Sequence, residues 1–281
     1  MITKLDGGLS TALENNGNKL TTSLWTGELI LVNPSEITKA HLDFINAGAD
    51  IIITSSYQIS YLGCSKRGWS ESKTDQALRG STQLAKDAVL KSGKSVKVAS
   101  SIGPYGAALA DGSEYKGNYG VTKSALKDFH ARRLEVLIST SPDLLALETM
   151  PDTFEVELLL ELLSDCPIPY WVSYSCKAGN QTNAGQSFTE AVSLAKDAMA
   201  VGINCTAPEL ITDLLLSAEG VKPFVVYPNS GRSWNAKTKE WEGSSETGFD
   251  ELLIKSWISA GAQIIGGCCG ISADEILNLK L

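Results

Sequence analysis

The sequence predicts an α/β protein, a single closed (β/α)8 barrel of the TIM type, and three observations predict it. Short β-branched or apolar runs that stop at Gly, Pro, Ser or Asn occur eight times, and an amphipathic stretch follows each one. The length, 281 residues, suits a fold that typically takes about 250. No Pro/Ser-rich linker divides the chain, so residues 1–281 read as one domain.

Taken in order, Ile2–Asp6 is the first candidate strand, and the stretch 35–47 follows Pro34, whose missing N–H a first helical turn tolerates. Asp50–Thr54 precedes 72–92, Val96–Ser101 precedes 122–140, Leu144–Glu148 precedes 152–164, and Tyr170–Ser175 precedes 188–197. Ala200–Asn204 leads into 208–218, which opens at Pro208 and carries Leu210, Ile211, Leu214 and Leu215 as one apolar stripe. Phe224–Tyr227 precedes 247–260. Gln263–Gly267 precedes 272–280, where Ser272 and Glu275 have the spacing of a capping box. Several runs are apolar almost throughout, the pattern of parallel strands covered on both faces. A doubly wound sheet is the rival, but Asp6-Gly7-Gly8-Leu9-Ser10-Thr11 lacks the G-x-G-x-x-G spacing of its dinucleotide loop.

Composition narrows the partners. With 24 Lys+Arg against 32 Asp+Glu the net charge is −8, and no basic cluster exceeds a pair, so nucleic acid and anionic membrane are not expected ligands. The longest apolar runs fall far short of the ~20 residues of a membrane span, and Met1–Asp6 lacks a signal peptide's apolar core. A cytoplasmic protein, monomeric or a small homo-oligomer, is expected. In a reducing compartment the six cysteines, at 64, 166, 176, 205, 268 and 269, read as thiols or metal ligands rather than a disulfide framework.

In a barrel the chemistry collects where strands end. The ends here are Asp6-Gly7-Gly8, Thr54-Ser55-Ser56-Tyr57-Gln58, Ser101-Ile102-Gly103-Pro104, Glu148-Thr149, Ser175-Cys176, Asn204-Cys205-Thr206, Tyr227-Pro228-Asn229 and Gly267-Cys268-Cys269-Gly270. Barrel closure puts the sixth strand two away from the eighth, so Cys205, Cys268 and Cys269 can converge. Three thiolates with one open position make a catalytic zinc arrangement. The same residues also suit plain packing, since Cys is among the most buried residue types. His41 and His130 lie in helical stretches and read as packing or surface residues. Asp6 and Glu148 could act as acid and base, receive a substrate's ammonium group, or cap and pair structurally. Trp25, Tyr57, Tyr105 and Tyr227 could stack over a cation, although any one of them is more often core.

Together Asp6-Gly7-Gly8, Thr54-Ser55-Ser56-Tyr57-Gln58, Ser101-Ile102-Gly103-Pro104-Tyr105-Gly106, Leu147-Glu148-Thr149, Gly202-Ile203-Asn204-Cys205, Tyr227-Pro228-Asn229 and Gly266-Gly267-Cys268-Cys269-Gly270 resemble the homocysteine S-methyltransferase family in order and spacing. The match spans essentially the whole chain, and the pairing of G-x-N-C with G-G-C-C-G is its most specific part. The resemblance implies Zn²⁺ on Cys205, Cys268 and Cys269 and L-homocysteine as substrate. It also implies that Asp6 and Glu148 take the amino group and that main-chain amides around Ser55 and Ser56 receive the carboxylate. Tyr57, Gln58, Asn204 and Asn229 fall in matching motifs near the site.

Zinc deprotonates a coordinating thiol, so homocysteine can enter as thiolate and attack a sulfonium methyl without a general base. Cobalamin- and folate-dependent relatives carry domains for which this length leaves no room, and betaine-dependent relatives carry a C-terminal extension missing here. A compact sulfonium donor is therefore expected, S-methylmethionine first and S-adenosylmethionine second, with methionine as product. The alternatives are selenohomocysteine or selenocysteine as acceptor, a zinc-dependent barrel hydrolase, which the scarcity of histidine disfavours, and a non-catalytic metal- or thiol-binding barrel.

Overall fold

The structure, a computed structural model, describes residues 2–218, 220, 223–231, 233–235, 240–242 and 249–281. Eight parallel strands form the expected barrel. They are β1 (Thr3–Lys4), β2 (Ile51–Ile53), β3 (Lys97–Ile102), β4 (Leu144–Met150), β5 (Tyr170–Tyr174), β6 (Ala200–Asn204), β7 (Phe224–Tyr227) and β8 (Ala262–Ile265). Their order is β1-β8-β7-β6-β5-β4-β3-β2. The ring closes between β1 and β2, where Leu5 bridges Ile51 in parallel and the Asp6 N–H donates to Ile51 O at 3.1 Å.

A crossover helix follows each strand: α1 (Pro34–Asn46), α2 (Glu71–Ser92), α3 (Lys123–Ser139), α4 (Thr153–Leu162), α5 (Phe188–Leu194), α6 (Pro208–Ser217), α7 (Glu251–Ser259) and α8 (Ala273–Asn278). Pro34 and Pro208 occupy first-turn positions, and Ser272 and Glu275 form the capping box. Positions 247 and 248 of the stretch read as the seventh helix lie outside the described residues. The connections after β1 and β2 carry extra helices, Leu9–Asn15 and Tyr61–Lys66, and a short hairpin pairs Cys176–Lys177 with Gln181–Thr182. These pieces are too short for apolar periodicity to separate them from loop.

Alternation along the strands builds two apolar layers. Leu5, Ile51, Ala99, Ala146, Trp171 and Val225 fill the barrel interior. Ile52, Val98, Leu145, Val172 and Val201 face outward and pack with Phe44, Leu78, Leu137 and Leu159 of the helices. Gly202 is dictated by close approach, since a Cβ there would lie 1.8 Å from Val225 O on the adjoining strand. Among the described residues no helix is long and apolar enough to cross a membrane.

Candidate active site

Cys205 follows the last residue of β6, and its N–H donates to Tyr227 O at the end of β7 at 3.1 Å. The Cys268 N–H donates to Pro228 O at 2.7 Å, which hooks the turn after β8 onto the other side of β7. Gly8 lets this turn fold down onto the end of β1, because a Cβ there would sit 2.6 Å from Cys268 O. The three sulfurs of Cys205, Cys268 and Cys269 consequently lie within 4.8 Å of one another. Cys205 Sγ is 3.8 Å from Cys269 Sγ, and the Cys268 and Cys269 sulfurs are 4.0 Å apart.

The three thiols bear strongly on one another's ionisation. Hydrogen bonding with the Cys268 and Cys269 thiols holds Cys205 well below the ordinary thiol range, and the same contacts push both partners up. Three thiols this close resist ionising together unless a cation joins them. The set could hold a metal ion, and its all-sulfur chemistry suits zinc with a position left open.

A cavity opens beside the sulfurs and is lined by Asp6, Ser55, Tyr57, Glu148, Thr149, Tyr227 and the three cysteines, with Trp25 and Tyr115 also on its wall. Asp6 and Glu148 are both buried. Asp6 Oδ2 accepts the Ile53 N–H at 2.7 Å, while Oδ1 has no partner. Glu148 Oε1 accepts the Ser101 hydroxyl. Burial pushes the Asp6 carboxyl well above its usual range, with the charge of Glu148 adding to the rise, and burial pushes Glu148 up to about 7. Among the described residues no Lys or Arg lines the cavity, so an entering ammonium group is the natural complement to both.

The other motif residues separate. The Ser55 hydroxyl is buried without a partner, and Ser55 and Tyr57 both line the cavity. Ser56 Oγ instead donates to Ser101 O at 2.7 Å, Gln58 Nε2 donates to Ala107 O at 3.4 Å, and Asn229 Oδ1 accepts the Gly231 N–H at 2.9 Å. None of these three is on the cavity wall. Asn204 sits behind it, with Nδ2 4.0 Å from Cys268 Sγ. The histidines are packed away from the cavity, and both are fully buried. His130 Nε2 pairs with Glu155 Oε1 at 2.8 Å.

Two features carried no sequence signal. Tyr115 reaches the wall from the segment between β3 and α3, where neither period nor motif marks it. Trp25, Thr149 and Cys205 hold φ values of 49°, 59° and 46° and all line the cavity. Left-handed backbone at non-glycine residues is uncommon, and three of the seven such residues among those described line this one cavity.

A family model for homocysteine S-methyltransferase matches residues 4–280. The chain belongs to the homocysteine S-methyltransferase family. It is 43% identical to homocysteine S-methyltransferase 2 of Zea mays, with 97% of this chain and 87% of the relative covered. Identity to the selenocysteine Se-methyltransferase of Brassica oleracea var. italica is 39%, with 97% and 86% covered. The crystal structure of the homocysteine methyltransferase MmuM from Escherichia coli in its metallated form aligns with a TM-score of 0.87 at 36% identity, covering 99% of this chain and 95% of that one. As a member of this family the chain is a methyltransferase.

Proposed function

We propose that this chain transfers a methyl group from a sulfonium donor to the sulfur of L-homocysteine, giving methionine, with zinc held by Cys205, Cys268 and Cys269. One observation carries the proposal: three sulfurs within 4.8 Å share a cavity with two buried carboxylates that have no cationic partner. When bound, zinc supplies a soft Lewis acid that keeps an incoming thiol in its thiolate form at neutral pH.

The protein's own groups set the geometry. Asp6 Oδ1 and Glu148 receive the amino group of homocysteine, whose charge offsets the burial that raises both carboxyls. Main-chain amides around Ser55 and Ser56 receive its carboxylate. Asn204 fixes the backbone around Thr149, and this keeps the reacting atoms from wandering. In the transfer an electron pair on the acceptor sulfur forms the new S–CH3 bond as the donor's C–S bond breaks, and the breaking bond's pair stays on the donor sulfur, which becomes neutral. No proton moves in this step, so neither carboxylate acts as a base.

The rings of Trp25, Tyr57 and Tyr115 on the wall suit a compact cationic donor, S-methylmethionine ahead of S-adenosylmethionine. The likeness to a selenocysteine Se-methyltransferase supports a selenol as a second acceptor at the same site. The test is a zinc assay of the purified protein followed by methionine formation from homocysteine with each donor in turn, and Se-methylation of selenocysteine in parallel. Absence of zinc together with absence of methionine formation would overturn the proposal.

A further inference from the structure

The segment 104–122, between β3 and α3, brings the Tyr115 hydroxyl within 3.3 Å of Cys205 Sγ. Buried side chains from α3 and α4 fix where this segment starts. Arg133 Nη2 donates to Gly103 O at 3.1 Å, and Glu155 Oε1 accepts the Tyr105 N–H at 2.6 Å while pairing with His130 Nε2. Beyond Tyr115, Asp152 Oδ2 accepts the Asn118 N–H at 3.0 Å, and Asn118 Nδ2 donates to Ala184 O at 3.3 Å. Between these anchors the chain doubles back so closely that a Cβ on Gly106 would lie 2.4 Å from Glu114 N. What this anchored segment puts on the cavity wall is a single side chain, Tyr115.

Either atom could donate in this contact, but a cysteine sulfur that ligates a metal as thiolate has no proton to give, so in the metal-bound site the phenol O–H is the donor. We propose that Tyr115 is a positioning residue for Cys205: its hydroxyl fixes the direction and the donor strength of that sulfur within the three-thiol set. The proposal rests on the reading of Cys205, Cys268 and Cys269 as a metal site. It assigns to the segment 104–122 the task of holding one hydroxyl against one sulfur. Hydrogen bonds onto metal ligands orient them and tune the metal, and losing such a partner typically costs roughly 10–100-fold in affinity or activity. Cys268 has its own neighbour in Asn204 Nδ2, so the two sulfurs are oriented from different elements.

Tyr115→Phe deletes the hydroxyl and keeps the ring. The test measures zinc affinity by competition with a chromophoric chelator, the thiolate-to-metal absorption of the cobalt(II)-substituted protein, and thermal unfolding as a control. Tyr115→Phe is expected to bind zinc roughly 10–100-fold more weakly and to shift the cobalt absorption, at an unchanged melting temperature. Wild-type zinc affinity with an unshifted cobalt spectrum overturns the role given to Tyr115. Cys205→Ala separates the two levels of inference. If it keeps stoichiometric zinc, the metal reading has failed and the proposal falls with it; if it loses zinc while Tyr115→Phe binds normally, only the Tyr115 role is lost.

Discussion

Asn204 Oδ1 accepts the Thr149 N–H at 2.7 Å while Asn204 Nδ2 donates to Thr149 Oγ1 at 2.8 Å, so one buried amide clamps Thr149 at two points. Thr149 follows Glu148 and is a β-branched residue at φ 59°, a conformation it would not hold unaided. Ser173 Oγ donates to the same Oδ1 at 2.9 Å, and the residue after Asn204 is Cys205. The amide therefore joins the end of β4, which carries a carboxylate, to the end of β6, which carries a sulfur. Asn204→Leu should leave the Thr149 N–H buried and unpaired, at a cost of about 1–3 kcal/mol, and should weaken homocysteine binding as well. Urea unfolding and calorimetric titration check the two effects. An unaltered midpoint would mean that the clamp is dispensable.

Asp6 and Glu148 are assigned to binding rather than to proton transfer. Asp6→Asn and Glu148→Gln should each weaken homocysteine by roughly the 1.5–3 kcal/mol of a hydrogen bond to a charged group. Titration with homocysteine in the absence of donor isolates that effect. Unchanged affinity with lost turnover would instead place these carboxyls in the chemical step.

The metal prediction is stoichiometric. The Cys268→Ala/Cys269→Ala double variant should retain no zinc while unfolding close to the wild-type temperature, because these thiols line the mouth, Cys269 belonging to neither apolar layer and Cys268 only packing against the edge of the inner one. Elemental analysis beside a melting curve decides it, and one zinc per chain in the double variant would refute the ligand set.

How far the sequence reached depends on what carries the information. β6 and β7 have their predicted bounds because each is a short apolar run closed by Cys-Thr or Pro. Once the barrel is assumed, the strand ends also bring Cys205, Cys268 and Cys269 together. Spacing reports which strand end a residue occupies, but not which way its side chain turns, since successive residues point to opposite faces. Ser56, Gln58 and Asn229 therefore belong to the right motifs while their side chains engage Ser101 O, Ala107 O and the Gly231 N–H. Tyr115 illustrates the opposite limit. Nothing local marks it, and it is placed by Arg133, Asp152 and Glu155, whose contacts with its segment are tertiary.

Acid stability should report His41. Burial lowers this imidazole to about 4, against 6.5 for a free histidine, and neither ring nitrogen has a partner. The unfolded chain takes up the proton more readily, so the stability tied to neutral His41 is complete above pH 6.5. It falls as pH drops from there towards 4, by about 3 kcal/mol in all. His130 is lowered too and adds in the same direction, whereas the raised Glu148 opposes them, its protonated form being favoured in the fold. The difference in pH dependence between wild type and His41→Gln isolates the first contribution. Parallel stability curves between pH 7 and pH 4 would show that His41 does not contribute it.

The donor should be S-methylmethionine in preference to S-adenosylmethionine. Homocysteine and the donor must share the one cavity beside the sulfurs, and an adenosyl group alone needs a substantial recess of its own. The two segments with the length to shape one are 58–69 and 104–119. Both are committed elsewhere: Gln58 Nε2 ties the first to Ala107 O of the second, and Tyr115 of the second stands on the cavity wall. A small sulfonium needs no such recess. Trp25, Tyr57 and Tyr115 line the same cavity, and a ring that presents its face to the positive charge contributes about 0.5–2 kcal/mol. The expected result is a kcat/KM roughly tenfold or more in favour of S-methylmethionine at fixed homocysteine. A preference for S-adenosylmethionine would reverse the choice of donor and require the segment 58–69 or 104–119 to open when the donor binds. The assignments of the acceptor and the sulfur cluster would stand.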